Sequence, residues 1–200
     1  MKTAGVLLSL CIVVFLLSSC SSFYTVVDSR YVPTGNRIVV IAGETGTGAE
    51  LAAYKIAEAL SKSGAFGVTF LDAKTRIAKG IPVKVAGPYK SGYISVIVNF
   101  KMTDRAAVAV VGSKLDTDYI CMVWVASREV HQYVMNKVRL FFQVFGSSGE
   151  KLIGNGEYEV VFMEPGHVSL GFAPRSFEAA MSGVSQDIAN AIVKEHGRNR

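Results

Sequence analysis

The strongest constraint on the fold lies in the last third of the chain. From Val134 to Phe145 the side chains alternate, with Val138, Leu140, Phe142 and Val144 on one face and Lys137, Arg139, Phe141 and Gln143 on the other. That is the period of a half-buried strand. Gly146-Ser-Ser-Gly149 supplies a hairpin connection. Lys151–Met163 then returns, with Tyr158, Val160 and Phe162 opposite Glu157, Glu159 and Val161. A long antiparallel hairpin with one apolar face must cover that face with another layer, and the helices elsewhere in the chain are the only material for it.

Those helices are legible. Arg37–Ala42 is a β-branched run, a buried strand. Ala49–Lys62 is rich in Ala, Leu, Glu and Lys, places Ala49, Ala52, Ala53, Ile56, Ala59 and Leu60 close to one face, and is stopped by Gly64. Phe66–Leu71 reads as a second strand. Thr103 precedes a short helix over 104–115, and 118–126 is apolar on both faces, as a central strand is. Ser176 caps a final helix to about Glu195, whose stripe Phe177, Met181, Val184, Ile188 and Ile192 is spaced for one core-facing side. Between 73 and 92, Gly80, Pro82, Gly87, Pro88 and Gly92 interrupt any long element, and 93–100 is a further β-branched run. The expected fold class is mixed α/β (α+β): a mostly antiparallel sheet with helices packed on it.

The amino terminus sets the address. Lys2 precedes an apolar run, Ala4–Leu17, of about 14 residues, short of the roughly 20 a membrane span needs and right for a signal segment. It ends in Leu17-Ser18-Ser19-Cys20, which resembles a bacterial lipobox. The resemblance implies cleavage between Ser19 and Cys20, lipidation of Cys20, and anchorage in a bilayer. Ser21 and Ser22 follow in place of the Asp that retains enterobacterial lipoproteins at the inner membrane, which favours an outer-membrane anchor facing the periplasm. The expected organisation is a signal peptide over 1–19, a lipidated tether over 20–36, one α/β domain over 37–196 and a basic tail over 197–200, with His196 falling in the frayed end. With 50% hydrophobic and 18% charged residues the chain is not disordered. Of its 3 cysteines, Cys11 leaves with the leader and Cys20 is lipidated. Cys121, inside an apolar run, is then left without a disulfide partner and reads as a buried structural thiol.

Catalytic constellations fail one by one. Gly43-Glu-Thr-Gly-Thr-Gly-Ala-Glu50 between a strand and a helix resembles the P-loop of bacterial enhancer-binding ATPases, and Val68–Asp72 resembles a Walker B strand. However, Ala49 stands where the phosphate-binding Lys belongs and Glu50 where the Mg²⁺-binding hydroxyl belongs. What survives is a weak anion or ligand loop of Gly43, Thr45, Gly46, Thr47 and Gly48 at a helix start. His131, His167 and His196 lie in three distant segments without metal-ligand spacing. Glu157 and Glu159 share a strand face, whereas glycosidase carboxylates flank a cleft. Trp124 reads as core. The formal charge of +5 is spread out, without the Lys/Arg cluster a nucleic-acid surface requires. The expectation is therefore no enzyme, no metal, no cofactor and no nucleic acid.

The strand–loop–helix–strand at 37–71 is similar to the first half of a group of exported modules. These are the curli-secretion lipoprotein (CsgG-like) domain, the penicillin-binding-protein activator lipoproteins and the amino-terminal domain of TolB. Ala57, Leu60, Ser63, Gly64, Phe66 and Val68 match the shared pattern, and the strand, hairpin and helix of the second half follow it too. The resemblance implies a lipid-anchored, non-enzymatic module that binds an envelope protein in secretion, wall synthesis or envelope assembly, with homo-oligomers among its forms. The alternative is an exported small-ligand or nucleotide-binding domain built on the 43–48 loop.

Overall fold

The structure is a computed structural model and describes residues 34–42, 44–45, 48–81, 84–85, 105–129, 136–162 and 176–198. Its elements are β1 (Arg37–Ala42), β2 (Glu44–Thr45), α1 (Ala49–Ser63), β3 (Gly67–Leu71), α2 (Ala73–Ala78), β4 (Lys84–Val85), α3 (Arg105–Lys114), β5 (Tyr119–Glu129), β6 (Asn136–Gly146), β7 (Lys151–Phe162) and α4 (Phe177–Arg198). The run 93–100, the Thr103 cap and the tether lie outside the described residues.

Five strands form one sheet in the order β3-β1-β5-β6-β7, and β2 pairs with β4 as a separate two-residue ribbon. β1 runs parallel to both of its neighbours, β3 and β5, whereas the long strands β5, β6 and β7 are antiparallel. The sheet is thus mixed, with its longest ladders antiparallel, as the alternation of 134–163 requires. Because β3 and β5 flank β1 on opposite sides, right-handed crossovers send the two connecting helices to opposite faces. The two apolar clusters follow this division. Ile38, Val40, Tyr119, Cys121 and Val123 pack with α1 and α4 on one face, and Val39, Ile41, Ile120, Met122 and Trp124 pack with Val108 and Val111 of α3 on the other.

On the first face, α1 and α4 lie against each other through small side chains, with Ala49, Ala52, Ala53, Ala180, Ser185 and Ala189 all buried. The Ser185 hydroxyl donates to the Ala52 carbonyl at 3.4 Å, so even the polar group in this seam has a partner. Ile56, Leu60, Met181, Ile188 and Ile192 point into the sheet and are at most 1% exposed. Each such side chain contributes about 1.5–3 kcal/mol of burial. Ser176 caps α4, its hydroxyl accepting from the Ala179 amide at 3.2 Å.

Two expectations need correction. The helix α4 continues through Arg198, past Glu195 and into the 197–200 segment, and His196 is no frayed residue. It is 2% exposed, with its ring 4.4 Å from that of Phe66 and 5.6 Å from that of Tyr119. The second face of β6 is covered near its carboxyl end. Gln143 is 1% exposed, and Phe141 packs on Trp124 at 6.1 Å between ring centroids. α3 passes close to the end of β6: a Cβ at Gly112 would collide with the Ser147 backbone carbonyl.

Candidate functional site

The carboxyl ends of parallel strands are where open α/β sheets bind ligands, and the loop after β1 lies there. Gly48 caps α1 with φ 92, a left-handed conformation that suits glycine, and offers no side-chain cap. Its Cα faces the Phe177 ring: a Cβ there would come within 2.9 Å of it. Thr45 belongs to β2, where it is in register with Val85 of β4. Gly43, Gly46 and Thr47 lie outside the described residues, as do Ser19 and Cys20.

The charge at this end comes from a residue the sequence did not advertise. Arg76 of α2 is 3% exposed, and its Nη1 donates to the Ala42 carbonyl at the end of β1. Burial pushes its pKa down, while the nearby Glu50 carboxylate favours the charged form. The buried cation and the acid in the first turn of α1 therefore offset each other. An incoming phosphate would have to displace Glu50 from that interaction, and this matches the substitutions at positions 49 and 50 that weaken the P-loop resemblance.

Asp72, at the Walker-B-like position, is used otherwise. Its Oδ1 accepts from the Thr75 amide at 2.7 Å, making it the cap of α2. The Thr75 bonds hold the Asp72 carboxyl below its usual range. The 73–92 interval had shown no helix because α2 has only 6 residues, too few for a periodic signal. The Asp72-x-x-Thr75 spacing was the available cue.

At the opposite end, a polar cluster fastens the entry of the chain. Asp118 Oδ2 accepts from the amides of Asn36 at 3.1 Å and Arg37 at 2.9 Å, and its Oδ1 accepts from the Arg37 guanidinium at 3.2 Å. Asp116 takes Nη1 of the same guanidinium at 2.6 Å. The Tyr119 hydroxyl accepts from the amides of Thr34 at 3.0 Å and Gly35 at 3.3 Å.

Cys121 is fully buried in β5, and desolvation pushes its thiol up to about 12. It has no thiolate to offer as a nucleophile at neutral pH. Trp124 is 6% exposed, in the core as expected. Among the described residues, no group of three or more His, Cys, Asp or Glu could hold a metal ion, and no helix is long and apolar enough to cross a membrane. The backbone register places Arg139 beside Glu159 and Phe141 beside Glu157, so the two acids lie in one row along β7.

The sequence matches no protein-family model and no curated protein sequence. Solved structures are similar over most of the chain. A PelC dodecamer from Paraburkholderia phytofirmans matches at 12% identity and a TM-score of 0.47, covering 88% of this chain and 96% of that one. The lipoprotein GNA1162 from Neisseria meningitidis matches at 11% and 0.40, covering 82% and 99%. Protein XCC0632 from Xanthomonas campestris, of the family DUF330, matches at 8% and 0.45, covering 86% and 92%.

Proposed function

We propose that this chain is a lipid-anchored envelope protein of a bacterium, held by acylated Cys20 in the outer membrane, whose domain binds another envelope protein and catalyses no reaction. The observation that carries the reading is the order of parts. Leu17-Ser-Ser-Cys20 ends a short apolar leader, and a short tether then leads to a domain whose first residues, Thr34–Arg37, are bonded to Asp118 and Tyr119. Each lipid CH₂ contributes roughly 0.8 kcal/mol to anchoring, and two or more chains hold a protein stably where one does not. The non-enzymatic part is supported by what the titratable groups do. Asp72 caps a helix, Asp116 and Asp118 hold Arg37, Arg76 caps a strand, and Cys121 is sealed in the core. The curli-secretion-like resemblance of 37–71 adds the partner class, a protein of secretion, wall synthesis or envelope assembly.

Two experiments test it. Cys20→Ala is expected to release the protein from membranes or leave an unprocessed precursor; a variant processed and membrane-bound like the parent would refute the anchor. Crosslinking in intact cells, followed by mass spectrometry, is expected to capture one envelope protein or a second copy of this chain. Turnover of a small substrate by the purified protein, or a nucleotide copurifying with it, would refute the binding role.

A further inference from the structure

The fold has two dissimilar ends. At one, which we call the entry end, lie Thr34–Arg37, the turn after α1 up to Phe66, the 115–118 connection, the Ser147–Glu150 turn and the carboxyl terminus of α4. Their proximity is fixed by direct contacts. The Gly67 amide donates to Asn36, the Ser147 amide donates to Asp118, and the His196 ring packs tilted against Phe66 and edge-on to Tyr119. The other end holds the carboxyl ends of β1, β3 and β5, Arg76, and the amino termini of α1 and α4. Between Phe177 and His196 the helix α4 connects the two ends, a rise of about 28 Å at 1.5 Å per residue.

We propose that the entry end is the surface that rests on the anionic headgroups of the membrane, and that the opposite end is turned away from it. The proposal rests on the lipidation of Cys20. About 13 residues separate Cys20 from Thr34. A coil of that length spans roughly 20 Å, and full extension reaches about 45 Å. Bringing the opposite end to the bilayer requires the tether to run about 28 Å along the domain, beyond the roughly 20 Å that a coil spans. Bringing the entry end down requires no stretching. The bonds from Asp118 and Tyr119 to residues 34–37 remove any slack that a frayed start of β1 would add.

Charge at this end agrees. Lys62, Lys114 and Lys194 are exposed, and Arg198 is the last residue of α4. Of the acids there, Asp116 and Asp118 are both bonded to Arg37, leaving Glu150 on the β6–β7 turn, the buried Glu195 and Glu58 on Lys62 as counterweights. Screening limits electrostatic attraction to about 8 Å at physiological salt, so these cations act on a membrane only if this end lies against it.

The test uses the full lipidated protein in vesicles of phosphatidylethanolamine and phosphatidylglycerol containing a headgroup-quencher lipid. A fluorophore is placed on Ser148→Cys, exposed at the entry end, or on Glu178→Cys, 70% exposed near the opposite end. Cys121 is fully buried and does not compete for label. The Ser148 probe is expected to be quenched several-fold more than the Glu178 probe. Equal or inverted quenching would overturn the orientation. In the variant Lys62→Glu, Lys194→Glu, Arg198→Glu the ratio is expected to fall toward one, and an unchanged ratio would overturn the role of the headgroup charge. The mass of the vesicle-bound protein reports acylation separately, so a missing lipid refutes the anchor reading and is not mistaken for a wrong orientation.

Discussion

Asp118 holds Arg37 by both its backbone and its side chain: one carboxylate oxygen accepts from the amide at 2.9 Å and the other from the guanidinium at 3.2 Å. This pins the first strand to the start of the central one. Asp118→Asn keeps the shape and weakens the charge-assisted bonds. It is expected to cost about 1 kcal/mol, discounted from the usual charged-bond value because the cluster faces solvent. The Arg37 bonds lower the Asp118 carboxyl below its ordinary range. Its contribution is therefore complete above the unfolded value near 4 and is lost as pH falls through the lower folded value. Thermal midpoints should show Asp118→Asn and parent further apart at pH 7 than at pH 2.

Ile188 is fully buried where α4 meets the sheet. Ile188→Ala is expected to cost about 2–5 kcal/mol through lost burial and the cavity left behind. Denaturant midpoints of the mature protein measure this. An unchanged midpoint would remove α4 from the core.

His196 fills the space between Phe66 and Tyr119. His196→Ala is expected to destabilise by about 1–3 kcal/mol, the range for a core vacancy. A residue in a frayed tail would give a change near zero, so chemical denaturation separates the two.

The Cys121 thiol should react with an aromatic disulfide only after unfolding. Its pKa is raised to about 12 by burial, so the unfolded chain loses its thiol proton first. Stability is expected to fall as pH rises from the unfolded value near 8.5 toward 12. Rapid labelling of the native protein at pH 7 would contradict the burial of β5.

Calorimetry with ATP should give no binding heat, because Ala49 and Glu50 replace the phosphate and metal ligands and Glu50 offsets Arg76. A micromolar site would reverse the preference for a non-enzymatic module.

Local periodicity carried most of the fold. The alternation of 134–163, the alanine-rich helix and the stripe on α4 each announced a single face, and each face is buried as its period demands. What escaped depended on tertiary neighbours. His196 is four residues past Ile192 and continues the stripe, but Lys194, Glu195 and Gly197 around it read as a solvated end. Gln143 shares its strand face with Lys137 and Arg139 in the sequence, yet it is 1% exposed. Ser127, Arg128 and Glu129 look like the end of β5, yet the backbone remains paired with β6. At the candidate site, the loss of the P-loop ligands was readable, whereas Arg76 was not. A lone arginine in a six-residue helix carries no sign that it will be folded inward onto Ala42.

The clamp between Arg37 and Asp118 joins residues 81 apart in sequence. β1 lies between β3 and β5, and its second neighbour does not exist until residue 119 has been made. During synthesis the first strand therefore waits with an open, apolar edge while residues 43–118 are produced. Contacts of such separation slow folding and leave edges available for wrong pairing. For this chain, the vulnerable interval precedes the arrival of β5, and a holdase acting on the nascent protein would have to cover Ile38–Ile41 until then.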